Sequence, residues 1–176
     1  MQRASGYTAL ELLVTLAVGA LLLTLAVPSF IDLVLDTRLT TTVNRVVHGM
    51  HVARHEALKT GADVVLCRSR TGRQCDHAAP WNAGLIVFLN RDRDDPPRVD
   101  PGEPVLQVEG RLPVASILAN RRAFIFRPSG LRSVNGTLTF CDRRGAGRAR
   151  AVVVSYTGRP RATSARLADG ASSCPA

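Results

Sequence analysis

The chain has 176 residues, with 23 lysines and arginines against 14 aspartates and glutamates, for a formal net charge of +9. Once an apolar N-terminal run is set aside, about 140 residues remain, which is room for one domain with a modest core and no more. Lys59 is the only lysine, so arginine carries the positive charge, and the excess favours anionic partners such as nucleic acid or lipid headgroups.

The first element is the apolar run from Gly6 to Phe30. Leu12 to Ile31 is 20 residues without a formal charge, and as a helix it covers roughly the 30 Å of a bilayer's hydrocarbon core. The flanks do not suit a removable secretory signal. The basic leader holds a single arginine, Arg3, and no small-residue cleavage site follows the run. The small residue, Gly6, stands before it, and an aromatic residue, Tyr7, follows.

This arrangement resembles the type IV prepilin signal. The resemblance implies a leader over residues 1–6, cut by a membrane-embedded prepilin peptidase between Gly6 and Tyr7, with methylation of the new terminus. Tyr7 stands where the family usually has Phe. Glu11 matches the family's glutamate, four positions after the new terminus, and Pro28 its helix-bending proline. The implied role of Glu11 is to attract the positive N-terminus of a neighbouring subunit during assembly. A carboxylate at the edge of a membrane span is in any case costly and calls for a partner. The alternative is a plain N-terminal anchor whose acid sits among the headgroups.

Beyond Pro28 the helix is expected to continue to Thr60. Leu35, Leu39, Val43, Val46, Met50, Ala53 and Ala57 recur at steps of four and three, a narrow apolar stripe. Gly61 is placed to end it. The chain therefore divides into a leader (1–6), a transmembrane and assembly helix (7–30), and a globular domain (31–176) that begins with an amphipathic helix over 31–60. His48, His51 and His55 share a helical face away from the stripe. A metal site there lacks a carboxylate on the neighbouring turns, so a solvated strip is the expectation.

Short β-branched or apolar runs follow at Asp63–Cys67, Gly84–Leu89, Val105–Val108, Ala123–Phe126, Thr137–Cys141 and Ala151–Tyr156. Turn signals such as Asp100-Pro101-Gly102 and Asn135-Gly136 separate them. A long helix followed by short strands with tight connections is an α+β layout, the helix packed on an antiparallel sheet. The segments from His55 to Lys59, Val64 to Cys67 and Trp81 to Phe88 are similar to the GspH/FimT group of minor pilins, as are Phe126 to Gly130 and Gly136 to Phe140. The resemblance implies a type IV pilin-like fold.

Four cysteines, Cys67, Cys75, Cys141 and Cys174, suggest disulfides outside the cytoplasm, with three pairings open. The simplest joins Cys67 to Cys75 and Cys141 to Cys174. Their spacings do not resemble the close ligand pairs of structural zinc. Asn90 to Asp95 alternates oxygen side chains like the start of a calcium loop. It lacks the turn glycine, Asp95 being there, and Pro101 replaces the bidentate glutamate. A solvated loop is expected.

The richest candidate site is C-terminal. Between Arg143 and Ala168 stand Arg143, Arg144, Arg148, Arg150, Arg159, Arg161 and Arg166, with no acid among them. They fall on two turns, one of them Gly158-Arg159-Pro160-Arg161. Guanidinium matches phosphate with paired hydrogen bonds, glycine lets a backbone approach closely, and proline stiffens the loop. The turn resembles the Gly-Arg-x-Arg motif of FimT proteins that bind DNA during natural transformation. The alternative is a solvated basic surface. Binding of this kind is backbone-led and nearly blind to sequence. Aromatics are scarce, Tyr156 being the nearest, so base stacking is expected to be minor and duplex DNA is an expected ligand.

The residues carry no nucleophile elbow, phosphate loop or paired-acid signature, so neither an enzyme nor a cofactor is expected. The reading is a FimT-like minor pilin of the inner membrane, single-pass with its domain in the periplasm, then part of a pilus among other pilins. A GspH-like minor pseudopilin of a type II secretion system is the alternative.

Overall fold

A computed structural model of the chain describes residues 8–129, 132–165 and 174. The two parts of the cleavage site, Gly6 and Tyr7, and the last candidate arginine, Arg166, lie outside the described residues. The chain divides into two units, residues 1–37 and 38–176.

In the first unit, helix α1 (Ala9–Thr60) begins. Its start is a capping box. Thr8 N donates to a Glu11 carboxylate oxygen at 2.9 Å, and Glu11 N donates to the Thr8 hydroxyl at 3.3 Å, which satisfies two donors that open every helix. The helix runs through Pro28 without a break. It contains an 18-residue window of mean hydropathy 2.4, none of it buried, so it is long and apolar enough to cross a membrane.

In the second unit, the rest of α1 lays a buried stripe against β-structure. Leu39, Val43, Val46, Met50, Ala53 and Ala57 are at most 2% exposed, as their spacing predicts. The helix stops where Gly61 takes φ +71°, its N–H bonding to Ala57 O at 3.1 Å, a backbone conformation only glycine adopts without strain.

Eight strands follow: β1 (Asp63–Arg68), β2 (Leu85–Asn90), β3 (Val105–Glu109), β4 (Ser116–Ala119), β5 (Ala123–Phe126), β6 (Gly136–Cys141), β7 (Arg150–Val154) and β8 (Pro160–Ser164). The sequence predicts one sheet; the described residues form two. Each is four-stranded and antiparallel, in the orders β3-β2-β1-β5 and β4-β6-β7-β8. The unexpected strands, β4 and β8, are both edges of the second sheet. An edge strand bonds on one side only and need not be apolar, and the sequence Pro-Arg-Ala-Thr-Ser of β8 shows no alternation to read.

One core joins the α1 stripe to both sheets, with Leu66, Val87, Phe124, Phe126, Leu138, Phe140 and Val152 among its members. The first sheet also buries its other face, around Val65, Cys67, Ile86 and Phe88. Burial on both faces explains why β2 reads as an unbroken apolar run instead of alternating. Two disulfides pin the domain, Cys67–Cys75 and Cys141–Cys174, with sulfurs 1.98 and 2.02 Å apart. Closing the longer loop restricts the unfolded chain by roughly 3–4 kcal/mol.

Candidate nucleic-acid interface

The C-terminal arginines lie on the two connections that flank β7 and on the strands beside them, Arg150 opening β7 and Arg161 standing in β8. The β6–β7 connection starts at Asp142 and winds through a short 3-10 turn, Ala146–Arg148. The β7–β8 hairpin closes when Ser155 N bonds to Arg159 O at 3.1 Å and Gly158 N to Ser155 O at 2.9 Å. Arg143, Arg148, Arg150, Arg159 and Arg161 are exposed. No carboxylate among the described residues lies within 4.0 Å of any of these five.

Two candidates drop out of this set. Arg144 is folded onto Asp142, with its Nε 3.0 Å and its Nη2 2.6 Å from one carboxylate oxygen. Asp142 is buried and Arg144 partly so, 14% exposed, and this guanidinium is committed to the acid and not held out to a phosphate. The acid stands one residue before the arginine run that starts at Arg143, so the run by itself does not reveal the pairing. Gly158 is also buried, and its N–H is spent inside the turn. Its φ is +70°, and a Cβ there would meet Phe126 Cδ1 and Ser133 Oγ at 3.1 Å. Gly158 shapes the hairpin; it is not an approach point for phosphate.

The remaining five do not form one patch. Arg150 opens β7, opposite Phe140 and Ser164, whereas Arg161 lies opposite Val153 near the other end. Alternation along the strand puts Arg150 and Arg161 on opposite faces, and three steps of about 3.3 Å separate Arg150 from the position opposite Arg161 by roughly 10 Å. Arg143, Arg148 and Arg150 make one group, and Arg159 and Arg161 the other.

Tertiary structure adds neighbours that no local pattern announces. The β5–β6 connection touches the hairpin, Ser133 N donating to Tyr156 O at 3.0 Å. It carries Arg127 and Arg132, both exposed. From α1, Arg54 Nε donates to Thr157 O at 3.1 Å. Arg127 lies 3.8 Å from the buried Asp63, which faces Arg93 at the same distance. A cleft of about 470 Å³ opens there, lined in part by Arg93, Arg127 and Arg132.

The acidic loop after β2 differs from the sequence expectation in one respect. The carboxylates of Asp92, Asp94 and Asp100 come within 4.8 Å of one another, an arrangement able to take a divalent ion. Asp100 joins from beyond the segment the sequence singled out. Partial desolvation, then the charges of Asp92, Asp94 and Glu103, raise the Asp100 carboxyl above the ordinary range, with Arg98 opposing. Glu103 closes the loop by accepting from the N–H groups of Arg91 and Asp100. His48, His51 and His55 are exposed along α1.

Residues 42–158 match the family model described as type II transport protein GspH. The chain belongs to the GspH family. Its fold is that of two crystal forms of the type IV minor pilin FimU from Pseudomonas aeruginosa. One gives a TM-score of 0.53 at 14% identity, covering 71% of this chain and 92% of FimU. The other gives 0.54 at 15%, covering 72% and 89%. No curated protein matches the chain. GspH-family proteins are structural and not enzymes, and they associate with other pilins in a filament. The apolar start of α1 agrees with membrane anchoring before assembly. The family match ends at Gly158, one residue short of Arg159.

Proposed function

We propose that this GspH-family chain is a minor type IV pilin that enters a pilus and binds extracellular DNA, supporting uptake in natural transformation. The observation that carries the reading is the set of five exposed arginines in and around β7 and β8, none paired with an acid among the described residues. In the same proposal, prepilin peptidase cuts the leader between Gly6 and Tyr7. Glu11 guides assembly, and the domain lies in the periplasm until the helix leaves the inner membrane. Arginine forks take phosphate oxygens and release counterions, so the binding is blind to sequence.

A mobility shift of a duplex fragment by the full chain in nonionic detergent tests this. With ~4 phosphates neutralised, the log–log slope of affinity against salt is expected near −3.6. Replacing Arg159 and Arg161 together by Gln weakens binding and flattens the slope by about 1.8. No retardation at low salt leaves the second reading, a minor pseudopilin of a type II secretion system. That reading is favoured by the description of the matched family, whose range excludes Arg159 and Arg161.

A further inference from the structure

The hairpin between β7 and β8 holds out an aromatic ring as well as arginines. Tyr156 is 67% exposed, whereas Trp81, Phe88, Phe124, Phe126 and Phe140 are all buried. Among the described residues of the second unit, it is the one exposed aromatic.

The backbone beneath that ring is held from several sides. Tyr156 O accepts from Ser133 N, and the turn is closed across Ser155 and Arg159. Thr157 O accepts from Arg54, and Gly158 packs against Phe126 and Ser133. A ring on a fixed base, with only two side-chain torsions to settle, loses little entropy on contact. Arginines neighbour this residue along the backbone. Arg159 and Arg161 follow on the hairpin, and Arg132 adjoins Ser133 on the neighbouring connection.

An aromatic face among arginines is the combination that recognises unpaired nucleotides. The ring stacks on a base of any identity while guanidinium groups take the phosphates beside it. Bases within a duplex are already stacked on each other and offer no free face. We infer that Tyr156 is a stacking platform for an unpaired base, so that this site prefers single-stranded DNA to duplex. The inference rests on the DNA-binding reading above and refines its ligand.

Fluorescence anisotropy of the full chain in nonionic detergent tests it with three probes: an oligothymidine strand, an abasic strand with the same number of phosphates, and a duplex. The oligothymidine is expected to bind at least about fivefold more tightly than the abasic strand. Tyr156→Ala removes that ratio and leaves duplex affinity unchanged, and Tyr156→Phe keeps the ratio. Equal binding of the oligothymidine and abasic strands by the unmodified chain overturns the inference. So does a Tyr156→Ala variant that loses duplex and single-strand affinity alike, because the ring then supports the hairpin. Failure of the unmodified chain to bind any of the three removes the DNA-binding reading itself, and the inference with it.

Discussion

The guanidinium of Arg144 is folded back onto the carboxylate of Asp142, its Nη2 2.6 Å from Oδ2, in the connection that leaves β6. The same carboxylate accepts from the Arg144 N–H at 2.8 Å. One acid thus sets the turn and removes one arginine from a run that otherwise reads as uniformly available. Cys141, the preceding residue, ties this point to Cys174, so the connection is fixed at its root.

Asp142 is buried and joined to Arg144 by charge-assisted hydrogen bonds, so Asp142→Ala is expected to destabilise the fold by roughly 1–3 kcal/mol, the worth of those bonds. Thermal or denaturant unfolding measures this. Arg144→Gln is expected to leave the salt slope of DNA binding unchanged. A slope flattened by about one would instead put Arg144 on a phosphate.

Gly158 combines a positive φ with a closed surrounding of Phe126 and Ser133. Gly158→Ala is therefore expected to cost about 1–2 kcal/mol through backbone strain alone, and more if Ser133 cannot yield. The same variant disturbs the hairpin that carries Tyr156, Arg159 and Arg161, so DNA affinity falls together with the melting temperature. A variant with full stability and weakened binding would mean that Gly158 meets the ligand directly.

Asp100 carries a pH signature. Its carboxyl is raised in the folded chain, so the folded state holds that proton to higher pH than the unfolded state does. The contribution of this one group to stability is fully present below the ordinary carboxylate range, falls as pH rises through the raised value, and is lost above it. Asp100→Asn is expected to raise the melting temperature at neutral pH, with the gain vanishing in acid. Equal melting temperatures at neutral pH would show that the neighbouring carboxylates do not oppress this site.

Much of the fold is legible in the residues because it depends on local periodicity. The steps of four and three from Leu39 to Ala57 place a dry stripe on α1, and Gly61 ends the helix where a left-handed backbone is needed. The run Leu85 to Leu89 reads as a buried strand. The edge strands β4 and β8 escape that reading. Pairing along one side makes them strands, and the partners, β6 and β7, are chosen by topology. The division into two sheets is hidden for the same reason.

The candidate site divides along the same line. By itself the chain determines how many arginines the C-terminal segment holds, that a proline stiffens the turn between Arg159 and Arg161, and that α1 starts as an apolar rod, because each is a matter of residue type and spacing. Only the tertiary structure decides that Arg144 is consumed by Asp142, that Arg150 and Arg161 look away from each other across β7, and that the backbone of Ser133 bonds to that of Tyr156. Those outcomes depend on burial, strand alternation and contact between distant segments. The free energy of a charge depends on what surrounds it in space, and sequence neighbours do not specify that.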